Sequence, residues 1–257
     1  MNAIWWGGLA SLLAGAMTAV GALPVLFGGT ISRRMNDTLL AFAAGIMLSA
    51  SFFSLIIPGI EHGTAIYGGK LAAVSVVVAG IVIGVGFVAI LNEVVPHQHF
   101  VLGRQGPRGP AIARIWLFVF AITIHNIPEG LAVGVGYGAG DLAAGTSLAI
   151  GIGLQNAPEG LAVAVALWSA GYDRRFSFIA AGLTGAVEPV AGLMGAFAVS
   201  LSSIVLPAGL AFAAGAMLYV ISHEIIPETH RNGYDNEATL GLTVGLVVML
   251  ILDVLLG

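Results

Sequence analysis

The chain has 257 residues, of which 58% are hydrophobic and only 9% charged, and its mean hydropathy of +0.99 is out of reach for an ordinary soluble domain. No cysteine is present, which excludes disulfides and thiolate metal sites and leaves imidazole, carboxylate, amide and water as the ligands for any metal. The net charge of −4 says little about partners, and no nucleic acid is expected among them.

Hydropathy and turn residues predict eight membrane helices, at 4–28, 38–59, 71–95, 115–137, 142–168, 177–201, 207–226 and 238–256. Residues 1–28 lack a basic start and run too long for a cleaved signal, so they read as the first span. The runs are continuously apolar and not alternating, which argues against a barrel and for an all-α integral membrane protein in the lipid bilayer. No long polar stretch divides it, so a single transmembrane domain over 1–257 is expected. Arg33, Arg34, Arg104, Arg108, Arg114, Arg174, Arg175 and Arg231 fall in alternate connections and Lys70 alone on the other side. That bias predicts a multi-pass protein of the cell (inner) membrane with both termini outside. Thirty-seven glycines suit close helix packing in lipid, and the small-residue stretches fit contacts within one chain or in a homodimer equally well.

Two internal likenesses organise the chain. Ala41–Leu48 and Ala211–Leu218 share seven of eight residues, begin spans two and seven, and would cross the bilayer in opposite directions. Spans one to three and six to eight are therefore candidates for an inverted repeat. Between them, His125-Asn-Ile-Pro-Glu-Gly130 in span four matches Gln155-Asn-Ala-Pro-Glu-Gly160 in span five, and both continue Leu-Ala-Val. Each motif lies about 15 residues from the polar break at Gly140 and Asp141, roughly 22 Å along a helix and hence near mid-bilayer.

Glu129, Glu159 and Glu188 lie deep in these spans, where each carboxylate costs on the order of 2.5 kcal/mol or more unless paired, hydrated or protonated. No Lys or Arg in the spans can pair with them, so a cation from outside the chain, or a proton, is the expected partner. On a helix, His125, Asn126 and Glu129 share one face, and Gln155, Asn156 and Glu159 repeat the arrangement. Glu188, in Val-Glu-Pro, adds a third acid. Pro128, Pro158 and Pro189 are each expected to free one carbonyl, those of Ile124, Leu154 and Gly185. Nitrogen and oxygen donors without sulfur suit Zn2+ and also Cd2+, Fe2+ and Mn2+, carried as substrate; no catalytic cofactor is expected. The bland alternative is a pair of proline-kinked packing helices with protonated, hydrogen-bonded acids. Two weaker candidates lie at the arginine-bearing side: His97 and His99 in the third connection, and His223 and Glu224 at the end of span seven. Glu61, His62 and Asp141 are expected in ordinary surface loops on the other side.

The motifs of spans four and five, Val-Glu-Pro in span six and His223-Glu-Ile-Ile-Pro-Glu228 at the end of span seven together resemble the ZIP family of divalent-metal transporters, over essentially the whole chain. The resemblance implies eight spans arranged 3+2+3 and metal carried into the cytoplasm by an elevator-like alternating-access movement. It also implies a two-metal centre, with His125, Glu129, Gln155 and Glu159 on one ion and Asn126, Glu129, Asn156, Glu159 and Glu188 on the other. His97, His99, His223 and Glu224 would form a release route. Gln155 stands where many members carry His, as in a bacterial branch that keeps Gln, and the neutral Asn156 stands where that branch often has an acid. Two other functions fit parts of the pattern: a passive metal channel with the same ligands, and an intramembrane metal hydrolase. The hydrolase is disfavoured because the zincin spacing needs His at position 227, which is Pro.

Overall fold

The computed structural model describes residues 3–28, 31–94, 97–99, 103–105 and 114–256, which form eight helical rods and one small hairpin. The first rod is α1 (Ala3–Leu26). The second joins α2 (Arg33–Ser49) through a π-helical stretch, Ala50–Ile56, to α3 (Ile57–Tyr67), and α4 (Lys70–Val94) follows. Next come α5 (Arg114–Gly138) and α6 (Leu142–Ser169). The sixth rod joins α7 (Arg174–Thr184) through a 3-10 turn, Gly185–Val187, to α8 (Glu188–Leu201). The seventh carries α9 (Leu206–Val220), a second π stretch, Ile221–Ile225, and α10 (Ile226–Thr229), and the eighth is α11 (Asp235–Leu256).

Seven of these rods are long and apolar enough to cross a membrane, and the remaining one, α5, has 25 residues. Helices satisfy their own backbone hydrogen bonds, which hydrocarbon demands. Large apolar side chains such as Leu13, Val82, Ile83, Ile90, Met194 and Leu240 stand exposed on the outside, as lipid contact requires. The chain is thus an all-α, multi-pass membrane protein.

Local chemistry sets the rod ends. Ser32, Asp141 and Asp173 each accept a backbone N–H in the first turn of α2, α6 and α7, satisfying donors that a helix start leaves unpaired. The polar break expected between α5 and α6 is a tight turn in which Gly140 takes φ of 85°, a conformation that favours glycine, and Asp141 caps α6.

The second rod is longer than expected. It runs to Tyr67, where Gly68 ends it at φ of 73°, so Glu61 and His62 lie on α3 and not in a loop. Pro58 does not stop the rod because it falls in the first turn of α3, where its missing N–H costs little. A second difference concerns Pro189. The carbonyl of Gly185 is not freed, since it accepts the N–H of Glu188 in the 3-10 turn. Pro128 and Pro158, by contrast, lie inside continuous α5 and α6.

The rods pack in two groups. α1 lies along α6 and α8, and α5 lies along α8 and α6; α2 lies along α11, and α4 along α9. Contacts of α2 with α6 and of α5 with α9 join the groups. Glycines carry the closest crossings. A Cβ on Gly45 would stand 2.0 Å from the Leu242 carbonyl oxygen, and one on Gly215 would stand 2.2 Å from that of Ile81. Because the obstacle is backbone, neither crossing can yield to a rotamer change. Gly45→Val is therefore expected to cost about 3 kcal/mol or more, seen as a lowered thermal midpoint in detergent. Gly86→Ala, which meets nothing within 4 Å, should leave it nearly unchanged.

Candidate metal centre

The polar residues of the paired motifs converge at the centre of the first group. His125, Asn126 and Glu129 on α5 and Gln155, Asn156 and Glu159 on α6 are all buried, and Glu188 at the start of α8 is fully inaccessible. Glycines one position past each motif glutamate allow this convergence. A Cβ on Gly130 would lie 2.4 Å from the Glu188 carbonyl oxygen, and one on Gly160 only 1.9 Å from that of Thr18 on α1. The three acids lie within electrostatic reach of one another.

Hydrogen bonds run across the two motifs. Gln155 Nε2 donates to Glu129 Oε1 at 2.6 Å, and Asn156 Nδ2 donates both to Glu188 Oε1 at 2.7 Å and to the Ala14 carbonyl at 2.8 Å. Gln155 and Asn156 thus donate to protein and leave their oxygens unengaged, whereas neither amide atom of Asn126 has a partner among the described residues. Within the two motifs and Glu188, seven buried acceptor oxygens have no hydrogen-bond donor among the described residues: Asn126 Oδ1, Glu129 Oε2, Gln155 Oε1, Asn156 Oδ1, Glu188 Oε2 and both oxygens of Glu159. Stranded acceptors are costly in a folded interior, where nearly all polar atoms are paired. Carboxylate and amide oxygens of this kind are ligands that a divalent cation takes. A packing site of protonated, mutually bonded acids would not leave both Glu159 oxygens alone.

His125 takes a different partner. Its Nε2 pairs with Glu224 Oε2, and Glu224 also accepts from Asn92 Nδ2 at 3.0 Å, which in turn reaches the Tyr219 hydroxyl at 3.3 Å. The π stretch Ile221–Ile225 aims Glu224 inward from the second group of rods. Sequence reading set Glu224 at the release end of the molecule; the structure brings it to His125 at the central cluster. Among the described residues no three His, Asp or Glu side chains make a ready metal-holding group. His223, its neighbour, sets its ring against that of Tyr219, tilted by 32° with centroids 4.8 Å apart.

His97 and His99 lie in β1 (His97–His99), which pairs antiparallel with β2 (Gly103–Gln105) and packs against α5, so these residues are in a strand and not a plain loop. Their side chains lie outside the described residues. Three polar residues escaped sequence reading: Asn92, Tyr219 and Thr18. Asn92 had a signal, as an amide beside Glu93 near the end of a long apolar run; Tyr219 had none.

At the arginine-bearing face a cavity of about 370 Å³ opens between α2, the last turns of α6 and α10. It is lined by Arg33, Asp37, Ala162, Ala166, Ser169 and Glu228. Ala162, Ala166 and Ser169 continue the helical face that carries Glu159. Asp37, almost wholly buried, accepts both hydrogen bonds of Asn232 Nδ2 there.

Residues 97–253 match the profile of the ZIP zinc transporter family. The chain is 48% identical to zinc transporter GufA of Myxococcus xanthus over 98% of its own length and 99% of that protein. It is 45% identical to zinc transporter ZIPB of Bordetella bronchiseptica, over 94% of this chain and 78% of that one. To zinc transporter ZIP11 of Homo sapiens it is 36% identical, over 94% of each. Motifs, helical architecture and likeness over nearly full length agree: the chain belongs to the ZIP family of zinc transporters.

Proposed function

We propose that this protein carries zinc, or a similar divalent cation such as Cd2+, Fe2+ or Mn2+, across the cell membrane into the cytoplasm. It is a transporter and not an enzyme. The observation that carries the reading is the set of seven buried, donor-less oxygens around Glu129, Glu159 and Glu188. The proposed centre holds two ions, one on His125, Glu129, Gln155 and Glu159 and the other on Asn126, Glu129, Asn156, Glu159 and Glu188. His125 would join the first ion on leaving Glu224. With the arginine-bearing face cytoplasmic and both termini outside, release would pass the cavity beside Asp37 and Glu228, with Glu224, His223, His97 and His99 as further contacts.

The proposed mechanism is alternating access, in which the group of α1, α5, α6, α7 and α8 slides against α2, α4, α9 and α11. The chain is read as a 3+2+3 inverted repeat. Supporting this, positions 170 residues apart make equivalent contacts: Gly45 meets α11 while Gly215 meets α4, and Gly15 and Gly185 meet each other's carbonyl oxygens. A passive channel with the same ligands is disfavoured because multidentate ligands hold an ion too tightly for fast conduction.

Uptake of zinc into liposomes containing the pure protein tests the carrier. The rate should saturate at modest zinc, and competing Cd2+ should lower it. Half-saturation should rise as pH falls, since protons occupy the carboxylates and imidazole that the metal needs. A rate that climbs linearly with zinc and ignores pH would favour the channel.

A further inference from the structure

The repeat just proposed also points to a residue that no motif marks. The relation that takes Gly15 to Gly185 takes Thr18 on α1 to Glu188 on α8, both shifts being 170 residues. The companion shift of 30 residues exchanges the α5 and α6 motifs, so that Asn126 answers Asn156 and Glu129 answers Glu159. Contacts follow both shifts at once: Gly130 closes on the carbonyl of Glu188, and Gly160 closes on that of Thr18.

The ligand set of the second ion follows them as well. Asn126 pairs with Asn156 and Glu129 with Glu159, which leaves Glu188 as the one ligand without a counterpart in the set. Its counterpart in the chain is Thr18. That side chain is 1% exposed, and its Oγ1 has no hydrogen-bond partner among the described residues. Threonine in a helix ordinarily returns its hydroxyl to the carbonyl one turn back, as Thr38, Thr64 and Thr123 do here. Thr18 does not. Its hydroxyl faces the crossing of α1 with the 3-10 turn before Glu188, where a Cβ on Gly185 would come within 2.7 Å of it.

We infer that Thr18 Oγ1 is the sixth oxygen donor of the second ion, set across a pseudo-twofold axis from Glu188. Both proposed ions then lie on that axis, the first held by two symmetric pairs and the second by three. One member of the third pair is a carboxylate and the other a neutral hydroxyl, which makes the second ion weaker than six symmetric ligands with a fourth acid would. Six oxygens without nitrogen also favour harder cations at this position than at the first. The inference rests on the two-ion reading above and adds to it an α1 residue that neither motif contains.

Cadmium binding to the detergent-purified full-length protein, followed by 113Cd NMR and calorimetry, tests it. Wild type should show two cadmium signals. Thr18→Val, which keeps the shape and removes the oxygen, should weaken the second ion about tenfold and shift or abolish only its signal, while Thr18→Ser restores both. Thr18→Asp, which copies the acid of the other half, should tighten the second ion by a similar factor, and this arm stands even where Val perturbs folding. Unchanged second-ion affinity and signal in both Thr18→Val and Thr18→Asp would overturn the inference, as would a single cadmium signal in wild type. Glu159→Ala separates the two levels: it should lose both ions, and if both persist the proposed centre itself is wrong.

Discussion

Glu159→Ala is expected to reduce zinc uptake into liposomes by at least about a hundredfold, since even the outer-shell partners of metal ligands are worth about 10–100-fold and Glu159 is proposed as a ligand of both ions. Glu159 sits at the meeting of α5 and α6, buried, with both carboxylate oxygens lacking a donor. No Lys or Arg among the described residues pairs with it, so in the proposed centre the cost of burying it is one that the cargo would offset. Glu159→Gln sharpens the expectation. Without metal that variant should be as stable as wild type or more so, by about 1–2 kcal/mol, because a neutral amide is cheaper to bury than a carboxylate. Zinc should raise the thermal midpoint of wild type and leave that of Glu159→Gln unmoved. A purely structural glutamate would behave in the opposite way, losing stability when neutralised and keeping its uptake.

Glu224→Gln is expected to tighten zinc binding about tenfold, near 1.4 kcal/mol, while slowing release and hence turnover. In the proposed centre Glu224 and the metal would compete for the His125 imidazole, whose Nε2 Glu224 holds. A hydrogen bond to a charged partner is worth about 1.5–3 kcal/mol, and the neutral amide keeps only part of it. The bond to Asn92 is of the kind an amide oxygen can still accept, so the surroundings of the substituted side chain stay largely in place. Chelator competition reads the affinity, and liposome uptake reads the turnover. Weaker zinc binding in Glu224→Gln would mean that Glu224 holds the ion directly and does not merely draw His125 away.

The rods and the cluster were legible in the sequence for different reasons. Rods follow from continuous apolarity, and their centres agree with the structure. Their ends do not always, because the second rod passes through Pro58 by way of a π stretch that no single-residue signal announces. The sixth rod breaks at Gly185–Val187, one turn before Glu188, although composition alone reads it as unbroken. Gathering of the motif residues was legible because the copies are short-range, joined by the turn at Gly140. Pairing of His125 with Glu224 was not, since 99 residues separate them and the orientation depends on a π stretch. Thr18 lay beyond reach for a related reason: a lone threonine in an apolar helix is ordinary until its spacing from Glu188 is set beside the helix crossings.

Anomalous diffraction at the zinc edge, from crystals grown with zinc, addresses most directly whether a divalent ion resolves the stranded acids. A peak is predicted between α5 and α6 with carboxylate oxygens of both Glu129 and Glu159 at about 2.0–2.2 Å, and its loss in Glu159→Ala. Zinc found only on surface histidines, with those two glutamates turned to apolar neighbours and apart from each other, would contradict it.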